Sequence, residues 1–131
     1  MTTEIELQRA LRIRLEGAGL RVYDFAPQSA DGASLATFPY VEIGFLIATE
    51  WDTNSELGMS VTARIHTYSR SGSTAETRAI QGVIYGSLHR QTFTVSGTNM
   101  ILTMREMSDC SRMPDGSFHG VCEYRSLIET L

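Results

Sequence analysis

Three histidines, two cysteines and a few clustered carboxylates are the side chains best equipped for chemistry here, so their spacing decides which chemistries are open. His66, His89 and His119 could ligate zinc or move protons, but they fall on different predicted elements and none has a His-x-x-x-His or comparable ligand spacing. Each reads as a surface or half-buried histidine. A serine nucleophile needs a base and an oxyanion site, and no Gly-x-Ser-x-Gly elbow is present; Ser71-Gly72-Ser73 only opens a helix. Glu106, Asp109 and Asp115 lie near a turn without the calcium-loop pattern, which makes them solvated acids, and no phosphate-cradling glycine loop occurs. Cys110 and Cys122 are too few for a disulfide scaffold and lack zinc-finger partners. They flank Pro114-Asp115-Gly116 almost symmetrically, so a hairpin there could bring them close, although a reducing compartment favours two free thiols. No catalytic, cofactor or metal residue follows from these patterns.

Two other features point to contact rather than catalysis. The sole tryptophan, Trp51, sits with Asp52 and Thr53 near a predicted hairpin tip. A large amphipathic ring on a loop either anchors an interface or folds back on the sheet edge, and both readings stay open. The second feature is a strip of small residues, Ala75, Ala79, Gly82 and Gly86, spaced four, three and four apart along a predicted helix. Two interior glycines each cost about 1 kcal/mol relative to alanine, so the strip suggests close backbone approach, to the protein's own sheet or helix or to a neighbouring subunit.

The elements that must position these residues are legible from periodicity. Thr3-Glu4-Ile5-Glu6 has the form of a capping box, and Leu7, Ala10, Leu11, Leu15 and Ala18 give the helix one apolar stripe before Gly17 and Gly19 end it. Arg21 to Phe25 is a short strand candidate, and Gln28 to Thr37 reads as a surface loop. Val41, Ile43, Phe45 and Ile47 alternate with Tyr40, Glu42, Gly44 and Leu46; Met59, Val61, Ala63 and Ile65 repeat the pattern against Ser60, Thr62, Arg64 and His66. That period predicts two strands, each with one core face, joined as a hairpin through Trp51 to Leu57. Ser73-Thr74-Ala75-Glu76 predicts a second capped helix with a bulky ridge of Ile80, Val83, Ile84 and Leu88 beside the small one. Asn99 to Asp109 and Ser117 to Ile128 follow as strands around a tight turn. The order α-β-β-β-α-β-β predicts an α+β fold, one domain over 1–131, with two helices on one face of a largely antiparallel sheet.

Composition narrows the class further. A chain of 131 residues can bury about two-thirds of its unfolded surface and needs no staples. The net charge of −4 argues against a general nucleic-acid or anionic-membrane binder. No apolar run approaches a membrane span, and Met1-Thr2-Thr3-Glu4 lacks the regions of a signal peptide, so synthesis in the cytoplasm is expected.

Taken in order, several segments carry a family resemblance: Arg21-Val22-Tyr23-Asp24 with Pro27, Phe38-Pro39-Tyr40-Val41, Glu50-Trp51-Asp52-Thr53, His66-Thr67-Tyr68-Ser69-Arg70, the 75–88 helix, and Asp115-Gly116 followed by Phe118-His119-Gly120. In this order the chain resembles the tail-completion, or tail-terminator, proteins of long-tailed phages, prophages and gene-transfer particles. The family usually has Trp where this chain has Tyr68, a conservative departure. The resemblance implies a ring, usually of six subunits, that closes the head-proximal end of the tail tube and stops its polymerisation. It also implies docking to a neck or connector (stopper) protein, DNA in transit through the lumen, no enzyme activity, no cofactor and no membrane. On this reading the small ridge is a candidate subunit interface, and Trp51, Asp52 and Thr53 are candidate tube or neck contacts, together with the 28–37 loop. A head-closure or tube-like ring protein of the same particle is the nearest alternative. A small-molecule site around His66, His119 and Tyr124 is the alternative from another class.

Overall fold

The computed structural model describes residues 3–24, 36–52 and 57–130, apart from the side chain of Thr130. Helix α1 (Thr3–Gly17) is followed by the short strand β1 (Val22–Tyr23) and the hairpin strands β2 (Tyr40–Glu50) and β3 (Gly58–Ser69). Helix α2 (Thr74–Leu88) then leads to β4 (Thr98–Arg112) and β5 (Phe118–Thr130). The element order, and the hairpins β2–β3 and β4–β5, are those predicted from the sequence. The sheet runs β1-β2-β3-β5-β4; β1 pairs parallel with β2 and every other pairing is antiparallel. This is an α+β fold with both helices on one face, because the helical Leu7, Leu11, Leu15, Ile84 and Leu88 share one buried cluster with Val41, Ile43, Val61, Ile65, Tyr124 and Ile128.

Two sequence expectations need correcting. Phe45 and Ile47 do not continue the core face begun by Val41 and Ile43. The β2–β3 register shifts between Ile43 and Leu46, so an irregularity re-aims the chain: Leu46 and Ala48 turn toward the core, while Phe45 and Ile47 are 40% and 54% exposed on the other face. The bulky ridge of α2 is also rotated from its expected position. Thr77, Gln81, Ile84 and Leu88 are its buried residues, Ile80 is only half-buried and Val83 is exposed.

The rotation of α2 has a cause at Gly120. A Cβ at that position would lie 2.6 Å from both Gln81 Nε2 and Thr77 Cγ2, so only glycine lets α2 approach this closely. Gln81 Nε2 donates to the carbonyl of Asp109 (2.7 Å), which satisfies a polar side chain carried into the core. Two polar residues thus sit where bulky apolar ones would be expected, because the sheet leaves a gap there.

The helix ends depart from the predicted capping boxes in one detail each. Ser73 caps α2, its Oγ accepting from the amide of Ala75, but Glu76 accepts from the hydroxyl of Ser69 (2.6 Å). In α1 the Glu6 carboxylate takes an ion pair from Arg9 (3.1 Å). The turn at Pro114-Asp115-Gly116 forms as expected: Asp115 accepts from the amide and hydroxyl of Ser117, bonds that hold its carboxyl below the usual range. The two cysteines do not face each other. Cys110 is paired with Gly120, and Cys122 with Ser108, and both thiols are free.

Candidate functional site

The small-residue ridge lies on the outside of α2, opposite the buried Thr77, Gln81, Ile84 and Leu88. Ala75, Ala79, Gly82 and Gly86 are all exposed, and among the described residues a Cβ built at Gly82 or Gly86 would meet nothing within 4 Å. Among the described residues, then, neither glycine is approached closely by the protein's own sheet or helices. Exposed Val83 widens the strip, and grooves run along it. One, of about 440 Å³, is lined by Leu20, Arg21, Tyr40, Ala79, Ile80 and Val83. Another, of about 450 Å³, lies between the helices beside Ile13, Gly17, Ala18 and Gly86.

The hairpin tip separates residues that the sequence had grouped. Trp51 stays 39% exposed although part of its ring packs against Gly58, and its amide donates to the Gly58 carbonyl (2.8 Å). Asp52 Oδ1 accepts from the Gly58 amide (3.0 Å), so this carboxylate fastens the hairpin. Thr53 lies outside the described residues, as do Phe25, Pro27 and most of the 28–37 loop.

No described element covers the second face of the sheet, which carries the most organised set of polar and aromatic side chains. His66 on β3 and His119 on β5 stack with centroids 5.0 Å apart and share a hydrogen bond of 2.8 Å between Nδ1 and Nε2. One ring must donate and the other accept, so the bond is lost when both are protonated. Burial lowers both pKa values; Arg64 lowers His66 further and His66 lowers His119 further, while Glu42 opposes the shift at both rings. Gly44 makes room for the pair, since a Cβ there would lie 2.8 Å from His66 Nε2. Tyr68 stacks on His119 (4.7 Å) and on Tyr40 (4.9 Å), extending the row across three strands. Alongside, Arg64 places two nitrogens on one Glu123 oxygen (2.8 and 2.6 Å) and its guanidinium over the Phe45 ring (4.6 Å).

Sequence spacing could not reveal the histidine pair, because the contact depends on the register that sets Tyr68 opposite His119 and His66 opposite Val121. Alternation did place Arg64 and His66 on one face. Tyr124 does not join them: it is 1% exposed on the helix-covered face, with burial driving its hydroxyl pKa up. The pocket imagined around His66, His119 and Tyr124 therefore does not form. His89 lies elsewhere, stacked on Tyr85. Among the described residues no group of three His, Cys, Asp or Glu could hold a metal ion.

Comparison with known proteins gives this contact-rich molecule its context. The family model described as "Tail completion protein gp17" matches residues 7–129. The chain belongs to this tail completion family. It is thus a structural component of phage-type tails and acts in virion assembly. No curated protein sequence matches it. Among solved structures, a chain from the virion of a native gene transfer agent (GTA) particle is similar, with a TM-score of 0.78 over 94% of each chain at 18% identity. At that identity the likeness concerns the fold.

Proposed function

We propose that the protein assembles into a ring, of six copies by the family resemblance, that caps the head-proximal end of the tail tube. The ring ends tube polymerisation, joins the tail to the neck or connector protein, and leaves a lumen for DNA in transit. Assembly takes place in the host cytoplasm and needs no cofactor.

Family membership supports the tail role, and the outward α2 ridge carries the proposal that copies associate. A closed ring uses heterologous contacts, in which one patch meets a different patch on the next subunit. Small residues at Ala75, Ala79, Gly82 and Gly86 permit close backbone approach, and among the described residues nothing lies within 4 Å of a Cβ built at Gly82 or Gly86. The net charge of −4 suits a conduit through which DNA slides without many phosphate contacts. Trp51 is the proposed contact to tube or neck, with Thr53 as its neighbour in sequence; Asp52 contributes by holding the tip in shape. None of the described helices is long and apolar enough to cross a membrane.

Gly82→Leu separates folding from assembly. The new side chain enters open space on an exposed helix, where replacing glycine should preserve the monomer or stabilise it by about 0.5–1 kcal/mol. The expected result is a folded protein whose rings are lost and whose tails are uncapped. Rings of normal size and stability would exclude the ridge from any tight contact.

A further inference from the structure

The sheet ends in two edges that are covered over only part of their length. At one edge β1 pairs with Val41 and Glu42 alone, so from Ile43 to Glu50 the outer side of β2 has no strand beside it among the described residues. At the other edge β4 is met by the single bridge between Gln91 and Thr103 and by His89, whose Nδ1 accepts from the Arg105 amide (3.1 Å). From Glu106 to Arg112 its outer side carries no strand among the described residues.

The backbone along both free stretches is turned outward. Bonded and non-bonded residue pairs alternate along an antiparallel ladder. Trp51 donates to the Gly58 carbonyl (2.8 Å), so by the register that follows, Leu46, Ala48 and Glu50 direct their amides and carbonyls away from β3. Met113 donates to the Ser117 carbonyl (2.8 Å), and the same alternation directs those of Ser108, Cys110 and Arg112 away from β5. The Cys110 amide is held by the adjacent Asp109 carboxylate (2.8 Å), a local bond that a partner strand's carbonyl can replace. Edges of this kind are templates for another strand.

The strand that fits β4 is β2 of a second copy. β2 and β5 run one way and β3 and β4 the other, so β4 beside the next copy's β2 is antiparallel with both copies in the same orientation. That is the head-to-tail arrangement a ring needs. The covered stretches then set the register. Ser108 lies level with Ile43 across the sheet, through Cys122 and Ile65, and Cys110 lies level with Val41, through Gly120 and Thr67. Copies side by side without a shift would bring Cys110 onto Val41, which β1 already occupies. Free stretch meets free stretch only when the next copy slides along the strands.

Placing Ser108 opposite Ala48 is a slide of five residues from the level of Ile43. That is about 17 Å along the strands for the roughly 19 Å width of four strands, a tilt of about 40°. Closed sheets tilt their strands by about 35–45°, whereas registers two residues to either side give about 30° or 50°. On the helix face, the pairing sets the next copy's α1, which packs over its β1 and β2, beside α2. Gly82 and Ser108 line one depression of about 240 Å³ there, so a small residue stands where that helix arrives.

We infer that β4 of one copy adds to β2 of the next, with Ser108 opposite Ala48, so that the sheet continues from subunit to subunit. This rests on the ring reading and names the backbone contact that closes it.

Paired cysteines test the register in the purified full chain and in assembled tails. Ala48 packs toward the covered core and Ser108 borders α2, so both side chains lie on the helix face. Directly opposed residues have Cα atoms about 4.5–5.5 Å apart, a spacing that suits a disulfide. Mild oxidation of Ser108→Cys with Ala48→Cys, in a Cys110→Ser background, should give a ladder of linked chains ending at the subunit number of the ring, and neither single variant should give one. Ser108→Pro removes an outward amide and leaves the β4–β5 bonds in place, so it should weaken self-association in sedimentation about tenfold or more; thermal unfolding of each variant checks that it is folded. Rings that form without the ladder overturn the edge pairing while leaving a ring built on other contacts. Linked dimers alone also overturn it, since they indicate β4 paired with β4 about a two-fold axis, as does a folded Ser108→Pro variant that associates like wild type. A chain that stays monomeric in solution and in assembled tails overturns the pairing and the ring together.

Discussion

The two faces of the sheet use their side chains in different ways. Under the helices, Leu7, Leu11, Leu15, Ile65, Ile84 and Ile128 are fully buried, and even the polar Thr77 and Gln81 are packed into a gap above Gly120. On the open face the same strands carry a row of half-buried side chains, with the His66–His119 pair, the Tyr68 stack and the Arg64–Glu123 ion pair beside exposed Phe45 and Ile47. The covered face derives its stability from apolar burial and steric fit, at about 25 cal/mol for each Å² removed from water. The open face derives order from cross-strand pairing, whose individual contributions are about 0.2–1 kcal/mol. One face therefore specifies the fold, and the other is ordered without being closed to partners.

The sharpest way to break this contrast is at Gly120. Replacing it by valine should cost about 1–3 kcal/mol, because the side chain must push Thr77 aside and displace Gln81 from the Asp109 carbonyl. Chemical denaturation measures the loss. An unchanged midpoint would mean that α2 does not depend on this close approach.

Acid titration probes the open face and should have a smaller effect. The folded pKa values of His66 and His119 are lowered below 6.5, so the neutral pair favours folding above that pH. The contribution is lost as pH falls from about 6.5 through the lowered folded values, because the unfolded chain then binds more protons. Glu42 and Asp109 oppose the shifts and Arg64 adds to one of them, so His119→Gln compared with wild type isolates the pair. The variant should show a flatter loss of stability below pH 6.5; identical slopes would assign the acid sensitivity elsewhere.

The smallest change is expected at Ile47. Its side chain is mostly exposed, so Ile47→Ser should alter stability by about 0.5 kcal/mol or less. A larger loss in dilute protein would show that the open face contributes to the fold much as the covered one does.

This contrast also explains what the sequence could and could not convey. Helix stripes, strand alternation and the turn at Pro114-Asp115-Gly116 are local signals, and they predicted the element order and the face shared by Arg64 and His66. The shift at Ile43/Leu46 and the rotation of α2 are not local. The first depends on pairing with β3, and the second on a glycine some forty residues downstream in β5. The small ridge of α2 was visible as spacing, yet only packing shows that it faces outward.

Imaging intact particles at the junction of head and tail tests the central claim most directly. The account predicts a closed ring of this chain on the last layer of tube subunits, with an open lumen and a neck protein on its far side. Density for the chain inside the head-closure complex, along the tube or at its distal end would contradict it.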